Sequence, residues 1–192
     1  MIQSCLMHKD QRLIQSENAI IEAGIRTLIS NPAASMSDIA AAAGVGRATL
    51  YRHFDSKEVL IQHLAVICLR EINSATESIS HLKGCSALEA TIDAVMPIAD
   101  RFRFLTSLWG MFFESEKVNQ IIEMQHKEIY EMVNDAKRKG EINESLPTKW
   151  IASIFDGTLA VAWELLESGD VTPNEAAEYA KQTFFNGCKQ SI

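Results

Sequence analysis

Apolar residues recur every three or four positions along most of the chain, which is the spacing of one face of an α-helix. The longest regular series runs through Leu60, Leu64, Cys68, Ile72, Ala75 and Ile79. It predicts one amphipathic helix from about Lys57 to His81. Residues typical of strands and their turns are few, while Ala, Leu, Ile, Glu and Lys dominate. The pattern therefore predicts an all-α fold with about nine helices.

Punctuating residues predict where these helices begin and end. A first helix is expected from Arg12 to Ser30, because Asn31-Pro32 cannot continue it. Residues 1–10 show no periodic pattern and are expected to form a frayed arm. Lys83-Gly84 should end the long helix, and Ser86-x-x-Glu89 has the form of a capping box for the next one.

Further helices are expected in the C-terminal part of the chain. Pro97 should interrupt the first of them. Later helices are predicted from Lys117 to Lys139, before Gly140, and from Pro147 to Gly169. Thr172-Pro173-x-Glu175 combines an N-cap, a proline in the first turn and a capping-box acid, so a last helix should begin there.

Residues 35–54 predict a helix-turn-helix. Ser35-x-x-Asp38 is a capping box that starts one short helix, with Ile39 and Ala43 on its inner face. Gly44 should end that helix, because glycine takes the left-handed conformation at no steric cost.

The chain then restarts at Arg47, and a second helix should place Leu50 and Phe54 on a common buried face. The opposite face is polar. Guanidinium groups pair with guanine edges, whereas hydroxyl groups and imidazoles suit phosphate oxygens. We therefore assign Arg47 and Arg52 to bases. The residues that we assign to phosphate contacts are Ser37, Thr49, Tyr51, His53 and Lys57. The alternative is an ordinary solvated helix face.

The segment DIAAAAGVGRATLYRHFDSKEVL, residues 38–60, resembles the N-terminal signature of TetR-family bacterial transcriptional regulators. Two positions depart from the usual pattern. Gly46 stands where a small hydroxyl residue is common, so a side-chain cap and a phosphate contact are expected to be missing there. Asn31 stands where glycine is common, and Asn tolerates the same left-handed conformation.

The resemblance implies an N-terminal three-helix DNA-binding domain, residues 1–56. A long helix joins it to a C-terminal helical domain for effector binding and dimerisation, residues 57–192. It implies a homodimer, most often a repressor, on a palindromic double-stranded operator, because a two-fold axis repeats the reading helix one turn of DNA away. The expected DNA-binding set is Ser37, Gly46, Arg47, Ala48, Thr49, Tyr51, Arg52, His53 and Lys57.

The same resemblance implies a dimer interface in the last two helices, which are apolar over more than one face. The candidate residues are Ile154, Leu159, Trp163, Ala177, Ala180 and Phe184. A small and largely apolar effector is expected to release the DNA. Aromatic and Met side chains suit such a pocket, although they equally suit a plain core. The pocket candidates are Met96, Phe102, Leu105, Leu108, Trp109, Phe112, Phe155 and Trp163.

The charge is unevenly distributed along the chain. The net charge is −7, yet residues 1–60 hold six basic and six acidic side chains, so the acid excess lies beyond the motif. Binding should therefore depend on a few placed contacts and be sensitive to salt. No run approaches a membrane span of roughly 20 apolar residues, and the first residues lack a signal peptide's apolar core, so a cytoplasmic protein is expected.

Two other functions stay open at this point, and one further class is not expected. No catalytic constellation stands out, so no enzyme activity, catalytic residue or cofactor is expected. The four cysteines are scattered without metal-ligand spacing, so no metal site is expected. The alternatives are a helical adaptor that no longer binds DNA and a redox regulator that works through Cys68 or Cys85 without a small-molecule ligand.

Overall fold

The structure, a computed structural model, describes residues 2–112 and 114–188, with side chains from residue 15 onward. In these residues it has ten α-helices, one 3₁₀ turn at Met96–Ile98 and no strand, so the predicted all-α class is confirmed. The helices are α1 (Ile2–Ser30), α2 (Met36–Ala42), α3 (Arg47–His53), α4 (Lys57–Glu77), α5 (Cys85–Val95), α6 (Ala99–Ser107), α7 (Trp109–Phe112), α8 (Glu116–Arg138), α9 (Thr148–Ser168) and α10 (Pro173–Cys188).

The chain forms two compact units. The first unit comprises Met1–Ile67 and Phe104–Val118, and the second unit comprises Cys68–Arg103 and Asn119–Ile192. Helices α4, α6 and α8 each contribute residues to both units. None of the described helices is long and apolar enough to cross a bilayer.

Helix α1 begins at Ile2, ten residues before the expected start at Arg12, so the prediction of a frayed arm was wrong. Residues 2–11 contain neither glycine nor proline, and nothing in them ends a helix. Apolar periodicity reports which face a helix buries. Its absence at the N-terminus therefore did not indicate irregular structure.

The inner face of α1 forms part of the core of the first unit. Ile20, Ile25 and Leu28 are fully buried. Gly24 lies where α1 approaches α4, because a Cβ atom at this position would stand 3.0 Å from Leu64 Cδ1. The absence of a side chain therefore permits the close contact that braces the helix-turn-helix from behind.

The core of the second unit is built on α9 and α10, which pack against each other, while α5 packs on α10. The rings of Phe155 and Phe184 meet edge to face, with centroids 5.2 Å apart. Both side chains are fully buried, so they anchor the two helices.

The start of α5 differs from the prediction. The helix begins at Cys85, one residue before Ser86, and its first turn has no cap from its own side chains. Glu141 Oε2 instead accepts a hydrogen bond from the Cys85 backbone N–H at 2.8 Å. The predicted Ser86 capping box was therefore wrong, because a carboxylate distant in sequence satisfies the donor that a local cap would serve.

The long helix α4 ends at Glu77, four residues before the predicted His81, whereas three other boundary signals of the second unit are confirmed. Pro97 lies in the 3₁₀ turn between α5 and α6. Gly169 ends α9 in the left-handed conformation, with φ of 77°. At α10 the Thr172 N–H donates to Glu175 Oε2 at 2.8 Å, and the Glu175 N–H donates to Thr172 Oγ1 at 3.3 Å, which is the predicted capping box.

Candidate nucleic-acid interface

The predicted capping box at the start of α2 is present. The Ser35 N–H donates to Asp38 Oδ2 at 2.8 Å, and the Asp38 N–H donates to Ser35 Oγ at 3.2 Å. The Ser35 hydroxyl also donates to Asp38 Oδ2 at 2.8 Å, and the hydrogen bonds that the carboxylate accepts from the Ser35 N–H and hydroxyl lower the pKa of Asp38 below its ordinary value. The carboxylate form therefore holds the first turn of α2 in place.

The turn between α2 and α3 is made at Gly44, whose φ is +68°. The Val45 N–H then donates to the carbonyl of Ala40 at 3.0 Å, which closes the corner. Leu50 is 0% exposed, and Phe54, at the C-cap of α3, is also buried. The predicted Leu50 and Phe54 seam is thus confirmed, and it fixes which face of α3 points outward.

Most of the predicted DNA-binding residues reach solvent. The exposed ones are Ser37, Gly46, Arg47, Ala48, Tyr51 and Arg52, while Thr49, His53 and Lys57 are partly exposed. Residues 46–54 contain no acidic side chain. Helix α3 therefore presents two guanidinium groups, a phenol and a hydroxyl without a carboxylate in its own segment, which suits a polyanion.

The polar side chains of α3 form two pairs. The Arg47 guanidinium lies over the Tyr51 ring, 5.4 Å from its centroid. Arg52 Nη2 donates to Thr49 Oγ1 at 2.8 Å. Such contacts restrict long and flexible side chains, so both arginines are partly pre-oriented before DNA arrives.

Gly46 and Lys57 stand at the first turns of α3 and α4. Gly46 is the N-cap of α3 and provides no side-chain hydrogen bond, as the departure from the family pattern predicted. Lys57, the first residue of α4, donates from Nζ to the carbonyl of Pro32 at 2.8 Å. Lys57 therefore also ties α4 to the end of the α1–α2 connection.

The predicted effector residues fall in both units. Leu105, Leu108, Trp109 and Phe112 belong to the first, and Met96, Phe102, Phe155 and Trp163 belong to the second. In the second unit Phe102 stacks on Trp163, with centroids 3.6 Å apart. The Trp163 Nε1–H is buried and has no acceptor among the described residues. That unpaired donor is invisible in the sequence, because it depends on what surrounds the indole.

A cavity of about 530 Å³ lies in the second unit, between the last turns of α4, the segment after it, and α8. It is lined by none of the predicted pocket residues. Most of the residues that line it are polar by type, and they comprise Arg70, Asn73, Ser74, Thr76, Glu77, Ile79, Ser80, Leu82, Lys83, Glu128, Glu131, Met132 and Asp135. The apolar effector pocket therefore stays a prediction.

The structure divides the predicted dimer residues into two groups. Leu159, Ala177, Ala180 and Phe184 are already buried within the subunit, so they have no surface to offer a second copy. Ile154 is exposed, and Trp163 is partly exposed. Sequence reasoning missed the more exposed apolar side chains of α9 and α10, which are Trp150, Val161 and Tyr179. The spacing of residues 150, 154 and 161 along α9 was the available signal, because it places them on one face.

The cysteines of the second unit are poor candidates for redox chemistry. Burial raises the pKa of Cys68 to about 12. Burial, together with the Glu141 carboxylate, raises the pKa of Cys85 to about 12 as well. Both groups are therefore protonated thiols at neutral pH, and thiols react far more slowly than thiolates.

These features define the class of protein. A capped helix, a glycine corner and a second helix with an outward polar face make up a helix-turn-helix DNA-binding regulator. Residues 20–64 match the family described as "Bacterial regulatory proteins, tetR family".

Relatives extend the similarity beyond that segment. The HTH-type transcriptional repressor LfrR of Mycolicibacterium smegmatis is 24% identical over 157 residues, which is 81% of each chain. An HTH-type transcriptional regulator of Bacillus subtilis, YvdT, is 26% identical over 171 residues, covering 83% of this chain and 84% of that one. Residues 20–64 therefore carry the N-terminal domain of the tetR family of bacterial regulatory proteins, and over most of its length the chain is similar to HTH-type transcriptional regulators.

Solved structures agree on the fold. The crystal structure of LfrR from Mycobacterium smegmatis in complex with proflavine has a TM-score of 0.75 at 21% identity, covering 92% of this chain and 98% of that one. A TetR family regulator from Marinobacter aquaeolei VT8 has a TM-score of 0.76 at 21% identity, covering 95% of this chain and all of that one (100%).

Proposed function

We propose that this regulator is a repressor that binds a palindromic operator as a homodimer and leaves it when a small effector binds. The observation that carries the proposal is the exposed face of α3, where Arg47, Tyr51 and Arg52 point outward over a buried Leu50. We also propose that residues 1–56 bind DNA, and that residues 57–192 bind the effector and form the dimer.

The dimer proposal is supported by apolar surface on α9 and α10. Trp150 is 58% exposed and Val161 is 66% exposed, and Ile154 lies on the same face of α9. Large apolar side chains so exposed favour burial against a partner. A second copy of the chain fits a palindromic operator, because an interface that uses the same face of each copy generates a two-fold axis.

The effector proposal is supported by the surroundings of Trp163. Its stacked partner Phe102 offers a flat apolar surface, and its buried N–H lacks an acceptor among the described residues. A planar aromatic molecule with an acceptor atom would satisfy both features. Proflavine, which is bound in the LfrR structure, is a planar aromatic compound and serves as the first probe.

Operator binding is tested by footprinting the purified chain on the DNA upstream of its own gene. We expect protection of two half-sites related by a two-fold axis. The double variant Arg47→Ala/Arg52→Ala should lose that protection, whereas Arg138→Ala, which removes a charge from α8, should retain it. Equal protection by both variants would contradict the proposal and favour a protein that contacts DNA through another surface.

Repression is tested by transcription in vitro from the same promoter, which the protein should lower and an effector should restore. Proflavine is added to the complex while tryptophan fluorescence and DNA anisotropy are followed. Quenching that disappears in Trp163→Phe but persists in Trp150→Phe would support a site at Trp163. Quenching without DNA release would contradict the proposed role of that site.

A further inference from the structure

The two arginines of α3 occupy different positions and have different partners. Arg47 is the first residue of the helix and lies over the Tyr51 ring. Arg52 is the last residue but one and donates to Thr49 Oγ1. A helix in the major groove contacts base edges mainly through its N-terminal residues, while its other end lies nearer the DNA backbone. Position and partner therefore distinguish the two side chains.

The contact between Arg52 and Thr49 creates a pair of adjacent donors. The Thr49 oxygen accepts from Arg52 Nη2 at 2.8 Å, so the single hydroxyl proton remains to be donated outward. The guanidinium keeps its other N–H groups. Neighbouring O–H and N–H donors of this kind match two oxygens of one phosphate.

The contact between Arg47 and Tyr51 has a different consequence. A guanidinium that lies over an aromatic face keeps its N–H groups in its own plane, directed away from the ring. Its edge can then make the two parallel hydrogen bonds that guanine O6 and N7 accept. The ring also limits the rotamers of a long side chain, which reduces the entropy lost on binding.

We infer that Arg47, positioned by Tyr51, reads a guanine in each half-site, and that Arg52 and Thr49 together hold one backbone phosphate. This inference rests on the proposed binding of DNA through α3. The inference assigns Arg52 to the DNA backbone, although a guanidinium group alone would equally suit a base. Thr49 acts partly through Arg52 and is in that respect a positioning residue.

The base assignment is tested by selection from duplex DNA with a randomised central segment. The wild-type chain should select a guanine at one position of each half-site. Arg47→Lys keeps the charge but loses the planar fork, so it should lose about five- to hundredfold of the discrimination at that position. Tyr51→Leu should weaken the same discrimination, and other positions of the site should stay as selective as before.

The phosphate assignment is tested on the selected consensus duplex by measuring affinity against salt concentration. Arg52→Ala should lower the salt slope by about one per half-site and leave the selected sequence unchanged. Thr49→Val, which removes the hydroxyl and keeps the shape, should weaken binding about three- to tenfold on every sequence. Thr49→Ser should restore binding, because it retains the hydroxyl.

Arg138→Ala serves as the charge-matched control, and circular dichroism reports whether each variant folds. A loss of base preference in Arg52→Ala with an unchanged salt slope would overturn the inference, as would an unchanged preference in Arg47→Lys. If even the double variant Arg47→Ala/Arg52→Ala bound the consensus duplex normally, the proposed role of α3 itself would fail, which is a separate outcome.

Discussion

Helices α3 and α9 both expose a face to solvent, but the two faces have opposite chemistry. Helix α3 has seven residues and buries one of them, Leu50. The rest of its surface is mainly polar. Helix α9 has 21 residues, buries five, and still exposes Trp150, Ile154 and Val161. A polar, acid-free face suits a polyanion, whereas an apolar face suits another protein surface.

The comparison also concerns how each helix is held. A seven-residue helix is too short to be stable alone, so α3 depends on Leu50, the Gly44 corner and its packing on α2. Helix α9 has about six turns and packs along α10. The reading helix therefore should be the easier one to disrupt by a single core change.

The largest effect is expected from Leu50→Ala. Leu50 is 0% exposed and anchors α3, so truncation should lower the free energy of unfolding by about 3 kcal/mol, from lost burial and a residual cavity. Val59→Ala, at a valine that is 46% exposed in the same unit, should change it by less than about 0.5 kcal/mol. Urea denaturation measures both. An equal change in the free energy of unfolding in both variants would mean that the burial of Leu50 does not stabilise α3.

A smaller effect is expected from Val161→Glu on α9. If this face is covered by a second copy, the carboxylate loses hydration without a partner, and the dimer should dissociate at least about tenfold more readily. Sedimentation over a concentration series measures the change. Val59→Glu places the same charge at a comparably exposed valine on α4 and should leave the oligomeric state unaltered. Dissociation in both variants would argue against a specific α9 interface.

Two aspartates should respond to pH in opposite directions. The Ser35 hydrogen bonds lower the pKa of Asp38, so its stabilising effect is present above the ordinary pKa and is lost as pH falls through the folded-state value. Burial raises the pKa of Asp156, partly opposed by His126, so its charged form destabilises the fold as pH rises above the ordinary value.

Consequently Asp156→Asn should increase the free energy of unfolding near neutral pH. This gain should vanish below about pH 4, where the Asp156 carboxyl is protonated in both the folded and the unfolded protein. Asp38→Asn should decrease it near neutral pH. Thermal melts of both variants across this range measure the effect. A loss of stability in Asp156→Asn at neutral pH would show that the carboxylate makes a favourable contact.

The smallest effect is expected from Gly46→Ser. Gly46 has φ of −69° and ψ of 144°, which any residue adopts, and an added Cβ would meet only Thr49 Oγ1 at 3.9 Å. A serine hydroxyl can cap α3, so the gain in stability should be a few tenths of a kcal/mol over glycine. Operator affinity should also rise if the hydroxyl contacts a phosphate. A drop in affinity would indicate that DNA approaches the backbone at this position.

Local signals in the sequence predicted much of the fold and of the candidate DNA interface. The Ser35 and Asp38 capping box, the Gly44 corner, and the Leu50 and Phe54 seam depend on residues within about one or two helical turns of each other. The same is true of Pro97 and of the Thr172 and Glu175 box. The start of α1 was the exception, because a helix without an apolar stripe leaves no periodic signal.

Contacts between distant segments could not be predicted in this way. Glu141 caps α5 from 56 positions away, and the Ser86 box that local reasoning favoured did not form. Leu159, Ala177, Ala180 and Phe184 were predicted to lie in a dimer interface, yet they are buried within the single chain. Helical spacing shows that a side chain shares a face with its neighbours, but it does not show which partner covers that face.

The sequence by itself determined the all-α class, the helix-turn-helix and the polarity of its outward face, since these follow from spacing and from caps that act within a few residues. Only the tertiary structure decided which apolar side chains stay exposed, which thiols are protonated, and that the Trp163 N–H has no acceptor within the described part of the chain. Burial and pairing depend on atoms brought together from separate helices, and composition and periodicity along one helix carry no record of them.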